Sequence, residues 1–396
     1  MHDVVRGAES EEHTGMTMHE PSTHVVRKTS TTLADGRELL YFDDSEPWVS
    51  GEKTRDLVDT RPLPASESLS QMRLDVLTGD WVVIAAQRMD RTFLPPPDAS
   101  PLAPSRPGRP PTEIPAADYD VVVFENRFPS LAQSAAAQHL PSHVDGEELW
   151  PLAAGTGRCE VVCFASDPDA SFASLDLHRV RTIVDVWADR TEALSALPGV
   201  RQVVCFENRG REIGVTLTHP HGQIYAYPYL PQRTDAMIRQ SRLHRERTGR
   251  SLLSDVLDTE LRSGRRIVVD TEYWVAYVPA AARWPVEVHL APRRAVPDLA
   301  ALSTAERDAL AGVYRALLRA VDDFFEGVDE VPYIAAWHQA PVGADRDLGR
   351  LHLQLFSMMR SPGRMKFLAG SESAMGAWIN DTTPEAIADR FREVLA

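Results

Sequence analysis

The sequence predicts an α+β protein: antiparallel-sheet halves with flanking helices, built by duplication of one unit. Three observations lead there. Short runs of β-branched and aromatic residues recur between turn residues, the pattern of buried strands. Each half holds one long stretch with helical spacing. The order of strands and helix in the first half then returns in the second.

In chain order, residues 1–30 are rich in His, Ser, Thr and Glu without periodicity, and are expected to be disordered. Structure should begin near Thr29, with a first short strand over Glu38–Phe42. Arg73–Ala86 places Thr78-Gly79-Asp80 between two alternating pieces, a hairpin signal. Pro95–Pro115 is a proline-dense loop, and 132–157 reads as a surface insertion. Tyr119–Asn126 and Cys159–Phe164 are buried-strand patterns. A helix over Leu177–Leu197 and strands over Val200–Asn208 and Gln223–Tyr229 complete the first half.

The second half repeats this with strands at Tyr273–Val278 and Trp284–Leu290. A helix over Thr304–Phe325 follows, opened by the capping pair Ser303 and Glu306. Strands Tyr333–His338 and Leu351–Leu355 come next, and a helix over Pro384–Leu395 closes the chain. The expected division is an extension (1–30), a first half (31–231) and a second half (232–396).

Composition bounds the function. With 396 residues, 43% hydrophobic and 25% charged, the chain has ordinary globular usage. A net charge of −15 and the lack of a basic stripe argue against nucleic-acid binding. An anionic substrate must then be met by locally placed cations. These are nearly all arginine: Lys28, Lys53 and Lys366 are the only lysines, so Lys366 invites a reason. Cys159, Cys163 and Cys205 form no disulfide framework and read as buried strand thiols. With no signal-like or membrane-length apolar stretch, a soluble cytoplasmic protein is expected.

The chemistry concentrates in Thr218-His219-Pro220-His221-Gly222-Gln223. In an extended segment alternate residues share one face, so His219, His221 and Gln223 should form a row about 6–7 Å apart. Gly222 removes side-chain bulk and Pro220 a backbone donor, so a phosphate could approach closely. Imidazole is a good nucleophile that is largely neutral at pH 7. Attack by His221 on a phosphoryl centre would give a phosphoramidate suited to onward transfer. Gln223 could donate a hydrogen bond to a non-bridging oxygen without supplying an acid proton. Superposing the halves by sequence sets His352 against His219 and Gln354 against His221, a second row without its central histidine.

The stretches Leu77–Trp81, Phe124–Phe128, Phe206–Gly210, His219–Gln223, Trp284–Glu287, Ala336–His338 and Lys366–Gly370 together resemble the galactose-1-phosphate uridylyltransferase family, a branch of the histidine-triad superfamily. The resemblance implies a duplicated histidine-triad-like fold, a homodimer, and ping-pong transfer of UMP from UDP-glucose to galactose 1-phosphate through His221. By the same resemblance Gln223 holds phosphoryl oxygens, and Asn126, Arg127 and Phe128 bind uracil and ribose. Asn208 and Thr216 match phosphate-side contacts. Arg88 and Arg91 match a phosphate-binding pair that in the family reaches in from a second subunit. Lys366, Phe367, Ala369, Ser371 and Glu372 match the hexose-contacting segment.

The family's usual zinc site is stripped here. Ser100-Pro-Leu-Ala103 stands where a Cys-x-x-Cys is expected, Pro168 stands at the third ligand position, and His219 alone remains. A second metal site of relatives would use His338 and His352, but Met237 and Gln354 occupy its other places. No metal or other cofactor is therefore expected. Two other functions stay open at this point. One is a related phosphorylase or nucleotidyltransferase acting on ADP-glucose or dinucleoside polyphosphates. The other is a catalytically inactive nucleotide-binding protein.

Overall fold

A computed structural model describes residues 24–63, 70–90, 95, 100–109, 111–133 and 140–396. In the first half the strands are Arg27–Thr32 (β1), Glu38–Asp43 (β2), Gln71–Asp75 (β3), Asp80–Ile84 (β4), Val121–Glu125 (β5), Leu152–Ala154 (β6) and Arg158–Cys163 (β7). Helix Leu177–Ser195 (α1) and strands Gln202–Arg209 (β8) and His221–Tyr227 (β9) follow. The second half contains Gln232–Thr248 (α2), Leu252–Ser263 (α3), Ile267–Asp270 (β10), Trp274–Tyr277 (β11), Val286–Pro292 (β12), Thr304–Asp322 (α4), Tyr333–His338 (β13) and His352–Ser357 (β14). It ends with Met359–Ser361 (β15), Arg364–Met365 (β16), Gly370–Met375 (α5) and Pro384–Leu395 (α6).

Eleven of these strands form one sheet in the order β1-β2-β5-β7-β9-β8-β13-β14-β12-β11-β10, antiparallel at every junction. The duplication is visible in that order. Outward from β8 run β9, β7, β5 and β2; outward from β13 run β14, β12, β11 and β10. The halves join at the β8–β13 seam, where Phe206 lies opposite Ala336. Two half-sheets are thereby fused into one ladder.

One face is covered by α1 and α4, and alternate strand residues supply its core. Val162, Val203, Cys205, Ile224, Ala226, Ala335, Trp337, Leu353 and Leu355 point there and are buried. An aromatic cluster fills the space between helices and sheet. Phe172 stacks on Trp187 at 5.7 Å, and Trp337 contacts both Trp187 and Trp274 at about 6 Å. Each helix has a built start: Asp176 accepts from Arg179 N–H at 2.7 Å, and Ser303 and Glu306 form the expected reciprocal cap.

The opposite face of the first half carries the polar row. It is bounded by two layers. One is the small sheet β4-β3-β6, whose Trp81 and Val83 pack with Tyr225, Tyr227 and Met72. The other is the proline-dense loop, whose Leu102 and Ile114 pack with Tyr119, Phe124 and Cys163. All three cysteines are free and buried. No helix among the described residues is long and apolar enough to cross a membrane.

Several expectations change. Structure begins slightly before the expected Thr29: Arg27 and Lys28 already belong to β1, which pairs with β2 over its full length, while residues 1–23 lie outside the described residues. Part of the expected surface insertion is β6, paired with β3. The superposition of the two halves also shifts by two residues. His221 and His352 each open their strand, and each donates Nδ1–H to the carbonyl two residues earlier, His219 O at 2.7 Å and Arg350 O at 3.0 Å. His352 is thus the counterpart of His221, and Gln354 of Gln223. The second row has its histidine but no room beside it. His352 stacks on His338 at 4.9 Å, burial lowers its pKa to about 3, and Gln354 is tied to Glu287 at 2.7 Å.

Candidate active site

The site is built on β9, between its neighbours β7 and β8. His221 and Gln223 alternate with Gly222, which faces the helix layer. A Cβ on Gly222 would stand 2.8 Å from Phe164 Cζ and 3.0 Å from Phe206 O, so the close packing behind the row requires glycine. His221 lies directly across from Cys163, and Gln223 lies between Val161 and Phe206. Both functional side chains are therefore fixed by central strands rather than by a loop.

The imidazole of His221 has a defined tautomer. Its Nδ1 sits 2.7 Å from His219 O, which can only accept, so Nδ1 carries the proton and Nε2 keeps its lone pair. Burial lowers the His221 pKa, partly opposed by that same carbonyl. The ring is thus a neutral base with one free nitrogen. Gln223 is oriented in a similar way. Its Oε1 accepts from Tyr225 OH at 3.2 Å, which leaves the amide NH2 to donate elsewhere.

His219 is not the third member of an extended row. The strand begins only at His221, and the chain bends at Pro220 so that the His219 ring is buried. Its Nε2 lies 2.8 Å from Ala165 O and 2.7 Å from Tyr119 OH, while Tyr119 OH lies 2.9 Å from Leu102 O. One arrangement satisfies all three contacts: Nε2–H donates to Ala165 O and Tyr119 Oη, and the Tyr119 hydroxyl donates to Leu102 O. Burial lowers the His219 pKa to about 4. Its contribution to the site is the carbonyl that orients His221.

That network bears on the zinc implied by the resemblance. Ser100, Ala103 and Pro168 offer no thiolate or imidazole, so His219, whose Nδ1 is buried without a hydrogen-bond partner among the described residues, would have to hold the ion alone. Among the described residues no group of His, Cys, Asp and Glu side chains is placed to hold a metal ion. The residues do not fit a tetrahedral zinc site.

Two cavities meet at His221 and Leu217. The first, about 310 Å³, is lined by Gln223, Arg88, Asn126, Arg127, Phe128 and Thr216 over an apolar floor of Leu102, Phe124 and Val161. That size lies at the lower end of ligand sites, roughly 300–1,000 Å³. The second, about 250 Å³, holds Asn208 and the loop from Arg209 to Glu212. Within the first cavity Asn126 Oδ1 accepts from Phe128 N–H at 2.9 Å, so its NH2 is left to donate. Arg88 donates to Phe128 O at 3.0 Å. It therefore stands at its own chain's cavity, whereas the resemblance had it serving a second subunit. Arg91 lies outside the described residues.

The segment expected to contact hexose is not at either cavity of its own chain. Lys366 is buried, with its ammonium donating to Arg283 O and Ile379 O and paired with Glu372 at 3.2 Å. Glu372 also accepts from Ala369 N–H, and Ser371 donates to Ala377 O. Phe367 is 75% exposed beside this knot. Sequence reading missed two residues of the site, Tyr119 and Glu113. Tyr119 holds His219, 100 residues away in the chain, and Glu113 lines the larger cavity.

Comparisons with known proteins identify the family of the chain. Residues 61–231 match the family model described as galactose-1-phosphate uridyl transferase, N-terminal domain, and 236–396 match its C-terminal domain. The chain is 47% identical over 384 residues to a galactose-1-phosphate uridylyltransferase of Streptomyces lividans, covering 93% of this chain and 98% of that one. It is 33% identical over 330 residues to that of Thermotoga maritima, covering 82% and 98%. A solved uridylyltransferase structure superposes with a TM-score of 0.71 at 29% identity, over 82% of this chain and 98% of its own.

Proposed function

We propose that this chain, which belongs to the galactose-1-phosphate uridylyltransferase family, moves UMP from UDP-glucose to galactose 1-phosphate through a covalent intermediate on His221. The observation that carries the mechanism is the Nδ1–H bond from His221 to His219 O. It leaves Nε2 as the nucleophile and places a carbonyl where positive charge develops as the ring is phosphorylated.

In the first step the Nε2–P bond forms and the bond from the α-phosphorus to glucose 1-phosphate breaks. Glucose 1-phosphate leaves with that electron pair. In the second, a phosphate oxygen of galactose 1-phosphate attacks phosphorus and the imidazole leaves as the neutral ring. The Gln223 NH2 and the Arg88 guanidinium are the donors for the non-bridging oxygens, and hydrogen bonds to such charged groups contribute about 1.5–3 kcal/mol each. Asn126 and Phe128 take the uracil, with Thr216 and Asn208 on the phosphate side. His219 acts as a positioning residue. The Lys366–Glu372 segment, set apart from its own chain's cavities, fits a role at the site of a second copy in a homodimer.

The direct test is incubation with UDP-glucose labelled at the α-phosphorus. Label should enter the protein, map to His221 by mass spectrometry, and be discharged by galactose 1-phosphate. Label on another residue, or no label in a protein that still transfers, overturns the reading.

Two further outcomes follow from the electrostatics and the ligand set. A free imidazole is half protonated near pH 6.5. Because burial lowers the His221 pKa, the neutral nucleophile persists below that point. Single-turnover uptake of UMP should stay level from pH 8 down through 6.5 and decline only at lower pH; a midpoint at or above 6.5 contradicts it. We also place no metal in the working enzyme. Prolonged chelator treatment should leave both transfer rate and melting temperature unchanged, and metal analysis of the purified protein should show well under one equivalent of zinc.

A further inference from the structure

We infer that Glu113 reads the ribose hydroxyls of the bound nucleotide and so makes this enzyme discriminate ribonucleotides from deoxyribonucleotides. The inference rests on the larger cavity being the uridine site, as proposed above. Among the described residues lining that cavity, Glu113 is the only acidic one.

Its position is fixed from behind. Glu113 Oε2 accepts from Arg37 at 2.5 Å, and Arg37 is itself buried and held by Asp35 at 2.8 Å and by Glu125 O at 2.8 Å. The Glu113 backbone N–H donates to Pro101 O at 2.8 Å, which closes the proline-dense loop on itself. The other oxygen, Oε1, lies 3.3 Å from Arg127, which also lines the cavity. Each carboxylate oxygen can accept more than one hydrogen bond, so both retain capacity toward a ligand.

Chemistry selects the part of the nucleotide that Glu113 meets. A carboxylate next to the phosphates would be repelled, and the phosphate end is already marked by His221, Gln223 and Arg88. The uracil edge alternates carbonyl, N–H and carbonyl, so a carboxylate there would face two acceptors for one donor. The vicinal diol of ribose presents two O–H donors, which match two carboxylate oxygens. An acidic side chain on a ribose hydroxyl is the same solution that dinucleotide-binding folds use. Glu113 lines the same cavity as His221, Gln223 and the apolar floor, so a ligand held at its phosphate and its base brings its sugar within that cavity too.

The experiment measures binding of UMP and of 2′-deoxy-UMP to the full-length protein by calorimetry. The wild type should bind UMP about tenfold or more tightly than 2′-deoxy-UMP, as expected for a lost hydrogen bond to a charged group. Glu113→Gln should weaken UMP binding by about tenfold and bring the two ligands within about twofold of each other. The ratio is internal to each protein, so a smaller folded fraction does not move it. If Glu113→Gln does not fold, Glu113→Asp, which keeps the charge facing Arg37, should show a ratio between these limits. A wild type that binds both ligands equally, or a variant that keeps the wild-type ratio, overturns the role of Glu113 alone. A wild type that binds neither UMP nor UDP-glucose removes the uridine site and this inference with it.

Discussion

His221→Gly should abolish UMP transfer, by about four orders of magnitude or more, while leaving the protein folded. Removing the group that forms the covalent bond in a two-step reaction eliminates the path, and losses of that size are typical for catalytic nucleophiles. The fold should survive because the ring is not part of the helix-side core: β9 anchors there through Ile224 and Ala226, and its ladder to β7 uses only backbone groups. Circular dichroism and melting temperature establish folding, and rapid-quench assay of label from UDP-glucose reads the chemistry. A variant that transfers within tenfold of wild type would show that the phosphoryl group never resides on this ring.

Gln223→Glu is the second large effect. The Gln223 carbonyl already accepts from Tyr225, so its NH2 is the end available to a phosphoryl oxygen. A glutamate keeps the shape and the tyrosine contact but replaces the donor with a second acceptor bearing charge. One positioned donor contributes about 10²–10³ in rate where charge develops. A fall in kcat of at least that size is expected, larger than any rise in KM for UDP-glucose. Gln223→Glu activity within about threefold of wild type would mean that the amide faces no developing charge.

Much of the architecture could be read directly from residues because its signals are local. Ser303 and Glu306 announce the start of α4, Tyr333–His338 alternates as a strand should, and the His221-Gly-Gln223 spacing puts both side chains on one face. The helix α2 gave no such signal. Only Thr234, Ile238 and Ser241 among its described residues are buried, too sparse a stripe to stand out in a polar stretch. Contacts across long separations were equally hidden. Nothing near Glu113 announces Arg37, and nothing near Tyr119 announces His219. Lys366 teaches a different point. Its rarity in this chain drew attention to it, yet rarity carries no information about neighbours, and nothing local announces that its ammonium meets Glu372 and two carbonyls.

The β8–β13 seam ties the fate of the two halves together. Asn208, at the second cavity, lies opposite Ile334, so the rim of that cavity is laddered into the second half. Neither copy can loosen without exposing the other's ladder edge and the aromatic layer they share. Inheritance of damage is the expected result: a packing defect at Trp337 should reach β9 through the cluster it shares with Ile224 and Ala226, and calorimetry should show one melting transition for both halves.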